Sequence, residues 1–137
     1  MIEFIHIVYP GEPHSQSRHR HTSRGGFVRT YDPKSKDKEK FIDFVKKSYS
    51  FEKITGMVEV IIQADFSIPK SYSKKKTLVL DGQYRPKKPD VDNIAKFYLD
   101  SLNGIAYNDD SQIIDLQVIK KYSTFPLTTI TIQEVLF

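Results

Sequence analysis

Asp90 and Asp92 stand one residue apart in KKPDVDNIAK (87 to 96), after two lysines and a proline and ahead of Asn93 and Lys96. Carboxylates so placed can do one of two things. They can start and brace a helix, because Asp is a favoured N-cap and an Asp–Lys pair four residues apart supports a helical turn. Or they can hold Mg²⁺, which takes oxygen ligands at about 2.0–2.1 Å and is usually bound by one or two carboxylates plus substrate phosphate. Two such ions about 3.5–4 Å apart can clamp both the attacking and the leaving oxygen of a phosphodiester. Residues two apart in an extended segment point the same way, and Pro89 stiffens the approach. If a helix begins at Asp92, then Lys96 and Asp100 follow on its face at spacings of four. Asp109 and Asp110 lie roughly twenty residues on and must return by folding; a run of Asn and Asp is equally an ordinary turn. Taken one at a time, these residues leave both readings open.

The charge around them is uneven. His14 to Lys47 holds ten Lys or Arg against four acids, and Lys70 to Lys88 holds seven against Asp81 alone. From Pro89 to Asp115 the sign reverses, with six aspartates (90, 92, 100, 109, 110, 115) against Lys96. A basic surface with an acidic island suits a polyanion held around a metal, although a mixed solvated surface would also look like this. The net charge is +4. The absence of cysteine excludes disulfides and thiolate zinc sites and fits a reducing cytoplasm. His14, His19 and His21 could bind a transition metal, but lack a partner cluster. No run approaches the roughly 20 apolar residues of a membrane helix, and MIEFIHIVYPGEP is too short and too acidic for a signal peptide.

The elements that must position these residues follow from periodicity. With 137 residues, 39% of them hydrophobic and 12% aromatic, one domain with one core (1–137) is expected. Residues 3–10 read as a strand ended by Pro10. Residues 11–30 read as a long basic loop or irregular hairpin turning at Gly25-Gly26, and such loops are more often functional than filler. Asp32-Pro33 signals a helix with an apolar stripe of Phe41, Phe44, Val45 and Ser48 or Tyr49. Residues 56–69 alternate at period two, placing Val58, Val60, Ile62, Ala64, Phe66 and Ile68 on one side. A short helix near Ser73 to Leu80 precedes a turn at Asp81-Gly82. A helix from Asp90 or Asp92 to about Asn103, stopped by Gly104, faces Ile94, Phe97, Tyr98 and Leu102 to the core. Residues 108–111 are a turn. Residues 112–125 and 126–137 are strands, expected to be antiparallel neighbours. The result is an α+β fold: a single mixed domain with one sheet and two main helices.

The joint pattern is more specific than its parts. KPDVDNIAKFYLDSLNGIAYNDDSQI (88 to 113) resembles the signature of the RusA family of Holliday junction resolvases: K-P-D-x-D-N-x-x-K, then D-x-L-N-G, then D-D-x-Q-[IV]. GEPHSQSRHR (11 to 20) is similar, more loosely, to the family's Gly-x-Pro-x-x-x-x-Arg-x-Arg opening, with His19 where a proline is common. The resemblance implies a RusA-like, homodimeric, Mg²⁺-dependent endodeoxyribonuclease, with Mn²⁺ as an alternative metal and no organic cofactor. Such an enzyme resolves four-way DNA junctions by paired symmetric nicks in recombination and repair. By motif position Asp90, Asp92 and Asp110 correspond to metal-binding catalytic carboxylates and Lys96 to a catalytic lysine. Asp109 and Asp100 match motif aspartates of lower rank.

Arg18, Arg20, Arg24, Lys74, Lys75, Lys76, Lys87 and Lys88 would then meet backbone phosphates, which position DNA without reading its sequence. Tyr84 or Phe27 could stack on an opened base or simply pack. Two competing readings remain at this level: a catalytically inactive junction- or DNA-binding protein, and a metal-dependent phosphohydrolase of small nucleotides. The basic loop and the 74–76 lysines are superfluous for the latter.

Overall fold

The computed structural model describes residues 3–17, 20–24 and 27–137, with backbone alone for 20–24 and 27–31. Its six strands are β1 (Phe4–Pro10), β2 (Arg20–Arg24), β3 (Phe27–Tyr31), β4 (Val58–Ser67), β5 (Ile113–Ser123) and β6 (Leu127–Glu134). There are three helices, α1 (Ser35–Ser48), α2 (Lys74–Leu80) and α3 (Val91–Leu102), and a short 3-10 turn at Asp110–Gln112 lies between α3 and β5. The α+β class holds, with α2 as a third, short helix. β1, β6, β4 and β5 form one mixed sheet in that order, and β2 and β3 form a separate hairpin. Among the described residues no helix is long and apolar enough to cross a membrane.

β4 is the centre of the sheet. Its alternation works as expected: Val58, Val60, Ile62, Ala64 and Phe66 are buried under the helices, while Ile68, beyond the strand, is only half-buried. α1 contributes Phe41 and Val45 to the same core. α3 contributes Ile94, Phe97, Tyr98 and Leu102, each fully buried. Burying one such side chain is worth about 1.5–3 kcal/mol, so α3 is fixed on the sheet mainly by these four. Asn103 caps its end, and Gly104 follows at φ 78°, a conformation that favours glycine. Edge-to-face contacts among Phe41, Tyr98 and Phe97 tie the two helices together.

The final two strands differ from expectation. β5 and β6 are not neighbours: β5 runs parallel to β4, and β6 passes over the end of β4 to pair antiparallel with both β4 and β1. The side chains explain the choice. β6 carries Thr128, Ile130 and Ile132, all buried, and needs a central place. β5 puts Leu116, Val118, Lys120 and Tyr122 in register with the buried side of β4, and neither Leu116 nor Lys120 is buried, which suits an edge. Crossing one strand is a span of about 10 Å, within reach of the three residues 124–126. The turn expected at Gly25-Gly26 lies outside the described residues; the hairpin flanks it with Arg24 opposite Phe27.

Candidate active site

The acidic motif opens α3. Asp90 occupies the N-cap position, its carbonyl accepting from Ile94 N–H, yet its carboxylate makes no capping hydrogen bond. Asp92 lies in the first turn. Both are exposed, as is Lys96 one turn later. Asp110 starts the 3-10 turn after α3 and is exposed too. Among the described residues, none of these four side chains makes an ion pair or a hydrogen bond. The helix-cap role, open in the sequence, is therefore not what the Asp90 carboxylate does here.

The other motif aspartates are committed. Asp109 caps the 3-10 turn: its Oδ2 accepts from Ser111 N–H at 3.1 Å, while Gln112 Oε1 accepts from the N–H groups of Asn108 and Asp109. Hydrogen bonding from Ser111 holds the Asp109 carboxyl below the usual range. Gln112 goes further and donates to the carbonyls of Ile54 and Gly56, which pins the turn to the base of β4. Asp100 does not pair with Lys96. It faces Lys38 of α1 at 3.7 Å. Between the turn and α3 lies buried Tyr107, whose hydroxyl donates to Leu99 O at 2.8 Å. Burial, and then the charges of Asp110, Asp100 and Asp109, push its phenol well above the ordinary value, so it stays a neutral donor.

Two cations that the motif does not contain hold the approach to Asp90. Lys120 Nζ donates to Lys87 O at 2.7 Å and to Pro89 O at 3.0 Å. Arg85 Nη1 donates to Lys88 O at 2.7 Å, with its guanidinium 4.3 Å from the Phe66 ring centroid. Three successive carbonyls, 87 to 89, are thus held from β5 and from the segment before the motif. The Lys88–Pro89 peptide is cis. The sequence carried a signal for Lys120: it is a lysine in register with the core-facing residues of a strand, where an apolar residue is the norm.

Residues 11–17 lie along α3 as a strap. His14 N–H donates to Tyr98 Oη at 2.8 Å, and Gln16 N–H donates to Asn93 O at 2.9 Å. The strap therefore leaves the start of α3 beside Asp92, and the β2–β3 hairpin begins four residues later. Arg20 and Arg24 are on β2, with side chains outside the description; Arg18 and His19 lie outside the described residues altogether, and His21 is described by backbone only. His14 stacks on Phe97 at 5.0 Å and is 3.9 Å from Asp37. Burial lowers its pKa, so it packs here as a neutral ring. Lys74, Lys75 and Lys76 are exposed on α2, which Ser73 caps through Lys76 N–H; Lys76 also sits 3.9 Å over the Tyr72 ring. Lys87 and Lys88 are exposed beside the motif. Tyr84 is 74% exposed, too open for a core role, with Lys121 Nζ 5.6 Å from its ring. The side chain of Phe27 is outside the description.

The chain matches the family profile described as "Endodeoxyribonuclease RusA" over residues 10–133. It belongs to the RusA family. It is also 42% identical over 140 residues to a Bacillus subtilis (strain 168) protein named "Uncharacterized protein YqaN", a match covering 98% of this chain and 99% of that one. Membership supports DNA endonuclease chemistry, and the match runs from the strap through the acidic motif to β6.

The donor set has the right chemistry for a hard cation. It is all oxygen, exposed, and not engaged by the protein's own cations. Among the described residues, however, no group of three or more His, Asp or Glu side chains is gathered closely enough to hold a metal. Asp90 and Asp92 fit the commoner arrangement, one or two carboxylates completed by substrate phosphate.

Proposed function

We propose that this RusA-family protein is a Mg²⁺-dependent, structure-selective endonuclease that resolves four-way DNA junctions by paired nicks, acting as a homodimer. One observation carries the reading. Within the matched family span, Asp90, Asp92, Asp110 and Lys96 are exposed and engaged by nothing else among the described residues, while the neighbouring aspartates are committed to structure. Exposed carboxylates with no protein partner keep their oxygens open to a cation and a substrate phosphate.

Asp90 and Asp92 would hold the cation, with Asp110 joining from the 3-10 turn. When bound, Mg²⁺ (or Mn²⁺) supplies positive charge against the phosphate and makes water a stronger acid. Lys96 would lie against the phosphate oxygens, where a fixed cation stabilises charge that grows in the transition state. Lys74, Lys75, Lys76, Lys87 and Lys88, with the arginines of the strap and hairpin, would contact the DNA backbone, giving an affinity that falls steeply with salt. A two-fold pair of protomers suits a junction, which is itself close to two-fold and must be cut twice.

The absence of a gathered acidic triad among the described residues favours a second reading, a junction-binding protein without cleavage activity. One experiment separates the two. The purified protein is incubated with a labelled four-way junction and a matching linear duplex, with Mg²⁺ and with EDTA. Paired symmetric nicks in the junction alone, dependent on Mg²⁺, are expected. Tight junction-selective binding without any cut, in Mg²⁺ or Mn²⁺, would replace the nuclease with the binding protein.

A further inference from the structure

The segment before the acidic motif and the second half of β5 enclose a hollow that the proposed chemistry does not use. Gly82 N–H donates to Tyr122 O, Tyr122 N–H to Gln83 O, and Arg85 N–H to Lys120 O, so residues 82–85 close the edge of β5 from Lys120 onward. Where the two segments part, an open hollow of about 370 Å³ lies between residues 84–86 and 117–120. That is within the range of small-ligand sites, roughly 300–1,000 Å³. Pro86, Val118 and Ile119 give it apolar surface. Tyr84 stands beside them, 74% exposed, an aromatic ring with no core to serve. Gln117 is exposed and carries an amide that can both donate and accept. Lys120 and Tyr122 point their backbone groups outward, so by the two-residue alternation Val118 does the same. Its N–H and C=O, without partners among the described residues, can meet a flat polar edge.

The surroundings are cationic. Lys87 and Lys88 follow Pro86 and are exposed, and Lys121 Nζ lies 5.6 Å from the Tyr84 ring. A ligand with flat apolar faces and a polar edge, carried on a polyanion, matches all of these groups; an apolar peptide would leave the amide and the cations unused. The hollow also shares a wall with the acidic site. Lys120 lines it and donates to Pro89 O at 3.0 Å, and the next residue is Asp90. We infer that this hollow takes one unstacked nucleobase from the branch of a DNA junction, stacked on Tyr84 and hydrogen-bonded along its edge by Gln117 and the Val118 backbone. The choice of junction DNA as the source rests on the nuclease reading. Taking a base out of a duplex costs stacking and pairing, and costs least where pairing is already interrupted. A branch point offers such bases and a linear duplex does not. Phosphate contacts are common to both forms of DNA, so the base site adds a preference for the branch that the lysines do not supply.

The contact can be read directly, without cutting. Iododeoxyuridine, whose ring cross-links to a stacked aromatic side chain on irradiation, is placed singly at thymidine positions around the branch of a four-way junction and at the same positions of a linear duplex. Wild type, Tyr84→Phe and Tyr84→Ala are irradiated with each DNA in EDTA, and the cross-linked peptide is identified by mass spectrometry. Branch positions should cross-link to Tyr84 at least about tenfold more than any duplex position. Tyr84→Phe should keep the cross-link. Tyr84→Ala should lose it and bind the junction about tenfold more weakly, with duplex affinity unchanged. No cross-link to Tyr84 at any position, or equal yields in junction and duplex, overturns the inference. So does a Tyr84 cross-link that forms as readily with free iododeoxyuridine monophosphate, which would make the hollow a nucleotide site. A branch cross-link at Tyr84 in a protein that makes no nick with Mg²⁺ keeps the hollow and removes the nuclease. Junction cutting without any such cross-link removes the hollow and keeps the nuclease.

Discussion

Two sets of aspartates lie within reach of α3, and the protein treats them in opposite ways. Asp32 sits between α1 and the strap. Its Oδ1 accepts from Gln16 Nε2 at 2.7 Å and Lys34 N–H at 2.9 Å, and its Oδ2 meets Lys38 Nζ at 2.9 Å. Lys38 reaches on to Asp100. Burial alone would raise the Asp32 pKa, but the hydrogen bonds from Lys38, Lys34 and Gln16 outweigh it and bring the value down to about 2. Asp90, Asp92 and Asp110, by contrast, are exposed and have no such partners among the described residues. A carboxylate surrounded by donors locks pieces of chain together. One held in place by its backbone, with its oxygens still open, can bind something that is not yet there. The same residue type divides by what already surrounds it.

The strongest way to break this comparison is to neutralise the open set. Asp90→Asn or Asp110→Asn should lower Mg²⁺-dependent junction cutting by about a hundredfold or more, the scale set by removing a group that acts on transition-state charge. Junction binding should stay within a few fold, and thermal stability should not fall, since neither carboxylate has a partner to lose. Cutting at the wild-type rate would return both residues to the surface.

Lys120 sharpens the comparison from the backbone side, because it touches carbonyls rather than carboxylates. Lys120→Met should lower the single-turnover rate by about ten- to a hundredfold, in line with the cost of small misplacements at a reacting centre. Junction affinity should change little, and Lys120→Arg should recover part of the rate. An equal loss of affinity and rate would make Lys120 a phosphate contact instead.

What could be read from the sequence divides along the same line. The spacing of Ile94, Phe97, Tyr98 and Leu102, and the alternation of β4, are local patterns that one strong core enforces, and both stand as expected. The place of β6 was not legible, because two consecutive strands with a short link look like a hairpin. Only the contest for the centre of the sheet, won by Thr128, Ile130 and Ile132, sends it across β4. Motif order located the open acids, but order cannot say which carboxylates are already in use. Asp100 was aligned with Lys96 by helical spacing, yet Lys38 from another helix reaches it. The Lys120 clamp joins residues more than thirty positions apart and depends on the parallel register of β5 with β4.

The committed set predicts acid sensitivity. Asp32 has a folded pKa below its unfolded value, so its contribution to stability is complete above about pH 4 and is lost as pH falls toward 2. The difference corresponds to about 2 kcal/mol. Asp32→Asn should therefore unfold more readily in urea at pH 7 by about that amount, with the gap to wild type closing near pH 2. A gap that persists at low pH would mean that Asp32 acts by shape rather than charge.

The smallest effect is the most discriminating, because it separates neighbours. Asp109 and Asp110 are adjacent acids in one motif, but Asp109 serves the turn and Asp110 does not. Asparagine caps a helical turn about as well as aspartate. Asp109→Asn should keep both the 3-10 turn and the cutting rate within about twofold of wild type, whereas Asp110→Asn should not. The pair is compared in one assay, with melting temperature as the control for the cap. If Asp109→Asn abolishes cutting while the fold is intact, then its charge is used as well as its geometry. A carboxylate already bound to its own turn would then still be part of the acidic site.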